Sequence, residues 1–123
     1  MKRIVLFSIS FIAALISVNC FAQNQSPQVR ALQGTWTLIA IMGNEISYSE
    51  ENLKAESIDV TYTFSENNVT ILSSGDVIGP VQFEPIDGCL KLTGESTGYL
   101  PYSLHGNILI LHERNHTYIY RKK

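Results

Sequence analysis

Disulfide-forming capacity is what this 123-residue chain most lacks, because Cys20 and Cys89 are its only two cysteines. Lys2 and Arg3 precede an apolar run at 4–18, and Cys20-Phe21-Ala22 supplies a small-x-small cleavage site. Residues 1–22 therefore read as a secretory signal peptide, and 23–123 as one mature domain, exported to the periplasm or secreted. Cleavage after Ala22 removes Cys20 and leaves Cys89 alone, which excludes an intrachain disulfide. Lipoprotein anchoring through Cys20 is disfavoured, since Ser17-Val18-Asn19 is not the small-residue approach that acylation prefers. The apolar run is shorter than the roughly 20 residues a spanning helix needs, and no second run exists, so no membrane span is expected. Basic residues are also scarce. Without Lys2 and Arg3 the mature chain carries seven bases against eleven acids, a formal net charge of −4. No basic stripe is present to neutralise phosphates, which argues against nucleic acid as a partner. Arg121-Lys122-Lys123 reads as a solvated tail. Long helical periodicity is missing as well, and with it the helical fold classes.

What is present is a run of short segments with period two. In Ile58-Asp59-Val60-Thr61-Tyr62-Thr63-Phe64-Ser65 every even position is apolar and every odd one polar, the pattern of a half-buried antiparallel strand. Glu66-Asn67-Asn68 turns into a strand at 69–72, and Ser73-Ser74-Gly75-Asp76 into one at 77–83. Pro80 within that second run marks an edge position or a bulge. Pro85 to Gly88 reads as the next turn, followed by strands at 89–93 and 99–105. Gly106-Asn107 joins Tyr102-Ser103-Leu104 to Ile108-Leu109-Ile110-Leu111, and Thr117-Tyr118-Ile119-Tyr120 closes the series. With the strand around Trp36 the count is about eight, which predicts an all-β up-and-down antiparallel barrel, a sandwich being the other architecture with this rhythm. Residues 23–28 are polar and read as a disordered leader. Ser26, Pro27 and Gly34 are also placed as the N-cap, first position and stop of a short helix that would plug one barrel end. The Glu- and Lys-containing stretch 49–57 reads as either a lid or a solvated loop.

Leu32-Gln33-Gly34-Thr35-Trp36-Thr37-Leu38 resembles the first strand of the lipocalin-like domain proteins common among exported bacterial proteins. Tyr102-Ser103-Leu104-His105-Gly106-Asn107-Ile108-Leu109 is similar to their late hairpin, and Tyr118-Ile119-Tyr120-Arg121 to their closing strand. The resemblance implies a lipocalin-like barrel in which a basic residue of the last strand packs over the Trp of Gly-x-Trp. Arg121 is the matching position, so Trp36 and Arg121 are expected to be structural. The chain is short for that family and lacks its paired cysteines, which leaves room for a barrel filled by its own side chains. Another small exported β domain that opens with Gly-Thr-Trp, the heat-shock-associated META type, is the alternative fold, with Gly88-Cys89 a faint echo of it.

Candidate site residues follow from the strand faces. Tyr62 and Phe64 share a face with Ile58 and Val60, Phe83 with Val77 and Val81, Tyr102 with Leu100 and Leu104, and Tyr118 with Tyr120. In a closed barrel these make either a packed core or the wall of a cavity for a small hydrophobic ligand, with phenol groups to orient it. His112-Glu113-Arg114-Asn115-His116 matches the His-Glu-x-x-His zinc pattern, which requires both histidines on one face of a helix. Its flanks are β-branched and aromatic and it sits where a hairpin should turn. The two histidines are instead expected to face each other across that turn, and no metal or other cofactor is assigned. Cys89, after a turn and at the start of a strand, is expected to be a small buried apolar residue. Asn24-Gln25-Ser26, Asn68-Val69-Thr70 and Asn115-His116-Thr117 match the glycosylation sequon, a pattern with little weight in a chain rich in Asn, Ser and Thr. No nucleophile and base are legible together. The sequence thus points to a non-enzymatic exported protein that binds a small hydrophobic molecule, the alternative being a solid barrel that contacts a protein partner of the cell envelope.

Overall fold

A computed structural model describes residues 26–123. The expected signal peptide and residues 23–25 lie outside the described residues. Helix α1 (Pro27–Leu32) begins where the sequence places it, with the Ser26 hydroxyl accepting from the Val29 N–H at 3.1 Å and Pro27 at the first position. Pro27 and Gln28 thus belong to this helix and not to a polar leader. Nine strands follow: β1 (Gly34–Gly43), β2 (Ser47–Tyr48), β3 (Val60–Ser65), β4 (Asn68–Ser73), β5 (Asp76–Ile86), β6 (Cys89–Thr93), β7 (Thr97–His105), β8 (Ile108–Glu113) and β9 (His116–Lys122). Neighbours in sequence pair antiparallel from β3 to β9, and β1 pairs with both β3 and β9, so these eight strands close into an up-and-down barrel. The two-residue β2 is an appendage on the far end of β1. Pro85 lies inside β5, paired with Leu90, so the turn is confined to Asp87 and Gly88. Among the described residues no helix is long and apolar enough to cross a membrane.

The barrel has two unlike halves. At one end α1 packs Val29 and Leu32 beneath the strands, and Trp36, Phe64, Val69, Phe83, Leu90 and Leu109 are all buried there. Phe64 and Phe83 meet edge to face with centroids 4.9 Å apart. The helix is fixed by Trp36, whose Nε1–H donates to the Leu32 carbonyl at 2.8 Å. Gln33 holds the other side: its Nε2 donates to the Glu66 carbonyl, and its Oε1 accepts from the Glu66 N–H. Gly34 precedes the tryptophan with φ +119°, a conformation that disfavours side chains, and a Cβ there would stand 3.0 Å from Lys122 Cε.

Two bulges shape the other half. In β1 the pairing with β9 jumps from Leu38 to Ala40, so Ile39 is extra and Ile41, paired with Tyr118, stays on the inner face. In β5 the register with β4 breaks between Val69 and Ile71, where Gly79 and Pro80 sit. Pro80 therefore marks a bulge, and β5 is not an edge strand. Past this bulge the inward position passes to Ile78. Val77, expected beside Phe83 and Val81, faces outward and is 66% exposed.

The stretch 49–57 contains helix α2 (Glu50–Ala55), started by a capping box between Ser49 and Asn52. Leu53 is its buried residue. Glu50 meets Arg121 Nη2 at 2.9 Å, and Arg121 is paired with Thr37 and Ile108 on the outer face. The first turn of α2 thus rests against the outside of the β1–β9 pair. The expected contact between Arg121 and Trp36 does not form. Lys122 is the residue in register with Trp36, and its Nζ lies 5.4 Å from the ring centroid. Successive residues of a strand point to opposite faces, which sends Arg121 out and Lys122 over the indole.

Candidate ligand-binding cavity

At the end away from α1 the side chains do not fill the interior. A cavity of about 290 Å³ runs from Leu38 and Leu111 up to Ile41, Ile78, Glu113 and Tyr118 at the strand ends. Its wall is mostly aliphatic, from Ile58, Val60, Ile71 and Leu100, with Tyr62, Tyr118 and Tyr120 on the wall as well. A void of about 150 Å³ is enough for a benzene ring, so this one suits a ligand about twice that size.

A second opening adjoins the first. The β7–β8 ladder runs from His105↔Ile108 to Tyr102↔Leu111 and stops there. Pro101, the next residue of β7, has no N–H to continue it toward β8. Beyond that point 97–101 pair only with β6, and His112 and Glu113 only with β9. The two strands part into a cleft of about 560 Å³, lined by Tyr99 and Pro101 on one side and His112 and Arg114 on the other. Tyr62, Ile71, Leu100 and Glu113 belong to both spaces, so the cleft leads sideways into the barrel.

Of the six ring residues proposed from sequence, Tyr62, Tyr118 and Tyr120 line the cavity. Phe64 and Phe83 are buried in the packed half, 2% and 4% exposed, and belong to the core. Tyr102 is half-buried against that core, away from the cavity wall. The tyrosines form a connected group. Tyr62 and Tyr120 meet edge to face at 5.0 Å between centroids. Burial pushes both phenols above their ordinary range, and the negative charge of Glu113 adds to the effect on each. Both are held neutral, as hydroxyl groups able to donate.

Glu113 was not among the residues singled out for a cavity, because it is embedded in the His-Glu-x-x-His string. Register places it: Leu109, Leu111 and Glu113 are the inward residues of β8, facing Tyr120, Tyr118 and His116 of β9. The string therefore spans the end of one strand, a turn with Arg114 at φ +57°, and the start of the next. His112 pairs with Thr117 and His116 with Glu113, which puts the two histidines on opposite faces of the hairpin. They do not face each other across the turn, and the helical geometry of a zinc protease is absent from this segment. His116 instead packs its ring against Gly43 and stands 6.2 Å from the Tyr118 ring. Among the described residues no three His, Cys, Asp or Glu side chains gather where they could hold a metal. Cys89 is half-buried, and its register partners are Pro101 and Ile86 on the outer face, so it is no core residue.

Compared with known protein families, curated proteins and solved structures, the chain matches none of them. Its functional reading therefore rests on the residues of the barrel itself.

Proposed function

We propose that this is an exported, non-enzymatic, lipocalin-like protein that binds a small, largely apolar molecule in the open half of its barrel. The observation that carries this reading is the interior cavity of about 290 Å³, walled by aliphatic side chains and joined to a lateral cleft. Burying a ligand there removes apolar surface from water at about 25 cal/mol per Å², on both the ligand and the wall. A few polar groups among apolar ones, here the phenols of Tyr62, Tyr118 and Tyr120, are the usual means of orienting such a ligand. The solid-barrel alternative fits the half that is packed around Phe64 and Phe83 and leaves the other half without a purpose.

Native mass spectrometry of the protein isolated from its own cells tests the reading. The expected result is a reproducible added mass that disappears on organic extraction, and whose loss is reproduced by Ile71→Trp, a substitution that fills the cavity from β4. An unliganded mass in the wild type, together with no uptake of small apolar compounds, would defeat it and favour a protein partner.

A further inference from the structure

The cavity holds one charged group, and it is negative. Among the described residues Glu113 is the only Asp, Glu, Lys, Arg or His on the wall of the inner cavity; its other polar wall groups are the Ser73 hydroxyl and the three phenols. Strand alternation forces the carboxylate to the inner face at the position after Leu109 and Leu111, where an apolar residue would continue the pattern. No lysine, arginine or histidine nitrogen ion-pairs with it among the described residues. His116, its partner across the hairpin, is turned to Gly43 and Tyr118. Arg114 and His112 line the outer cleft and not the inner cavity. The carboxylate stands at the exposed mouth of the apolar space, where it attracts a cation brought in beside it. Tyr62, Tyr118 and Tyr120 on the same wall reinforce this, since aromatic rings attract ammonium groups.

From this geometry we infer that the ligand is an apolar amine, its hydrocarbon part among Leu38, Ile58, Val60 and Ile71 and its ammonium between Glu113 and the tyrosines. The inference deepens the ligand-binding reading and rests on it. It also gives the phenols of Tyr62 and Tyr120 a consistent role: held neutral by burial, they present aromatic rings and hydroxyl groups to a cation without adding a second charge.

Calorimetric titration with octylamine, octanol and octanoate tests it, because the three share one chain and differ in head group. Octylamine is expected to bind about tenfold more tightly than octanol, with octanoate weakest, and high salt should narrow the gap. Glu113→Gln should bring octylamine down to the octanol affinity while leaving octanol unchanged. Glu113 is exposed at the mouth, so the variant should keep the wild-type fold. Equal affinity for amine and alcohol, tighter binding of octanoate, or a preference that survives Glu113→Gln would each overturn the amine assignment and leave the ligand reading standing. Binding of none of the three would bring down the ligand reading, and the amine assignment with it.

Discussion

Tyr62 and Tyr120 show how a single residue type is put to two uses. Both pack with the core and both line the cavity, and burial holds both phenols protonated above their ordinary range. Linkage gives the sign of the resulting pH effect. In the unfolded chain these groups lose their protons at about pH 10, whereas the folded protein keeps them. Above that pH the folded state binds more protons than the unfolded one, so their contribution is fully present below about pH 10 and is lost as pH rises further. The melting temperature is expected to hold level from about pH 8 to about pH 9.5 and then to fall, with a shallower fall in Tyr120→Phe. An identical alkaline decline in the variant would show that this phenol is not held protonated by the fold. Lys122 and Arg121 carry a related lesson. They are adjacent, equally charged, and assigned to opposite faces, one over Trp36 and one to Glu50 on α2.

At the scale of elements, the bulges matter more than the regular ladders. A strand that passes a bulge exchanges its faces, so Ile39 in β1 and the Gly79 region in β5 decide which later residues look inward. Gly79 is the more constrained. Its φ is +99°, and a Cβ there would meet the Val69 carbonyl oxygen and the Val81 nitrogen, both at 2.9 Å. Gly75 makes a useful control, with φ +96° and nothing within 4 Å of the same added atom. Gly79→Ala is expected to cost about 2–4 kcal/mol in urea unfolding, and Gly75→Ala about 1 kcal/mol, the conformational part alone. Equal costs would mean that the close approach at the bulge is not rigid. The end of the β7–β8 ladder at Pro101 is the other decisive local feature, because it opens the wall beside the cavity.

The whole molecule is a barrel divided along its axis into a packed half and an open half. Stability should be distributed in the same way. Leu109 is fully buried at the packed end, while Leu100 is half-buried and lines the cavity. Leu109→Ala is expected to destabilise the protein by about 2–5 kcal/mol, since it leaves a void the surroundings cannot fill. Leu100→Ala should cost under about 1.5 kcal/mol, because the atoms removed enlarge a space that already exists. Comparable losses at the two sites, measured by denaturant unfolding, would argue against the division. Six of the seven large apolar side chains that remain exposed, Met42, Ile46, Leu72, Val77, Ile78 and Tyr99, also lie toward the open end.

The sequence by itself determined the architecture, because period-two alternation and turn chemistry are local and each strand carries its own signal. The strand rhythm and the short capped helix before Gly34 were legible there, as was the common face of Val60, Tyr62 and Phe64. Tertiary structure alone decided which of those faces enclose a space. Phe64 and Phe83 had the same alternation as Tyr118 and Tyr120, yet one pair packs the core while the other lines the cavity. The difference lies in what the opposite wall contributes, and that wall comes from strands far away in sequence. Bulges and ladder ends are likewise set by pairing between strands. A shift of one residue exchanges the faces, and this is why Val77 went outward, Lys122 took the place expected of Arg121, and Glu113 left a misleading motif to become the one charge on the cavity wall.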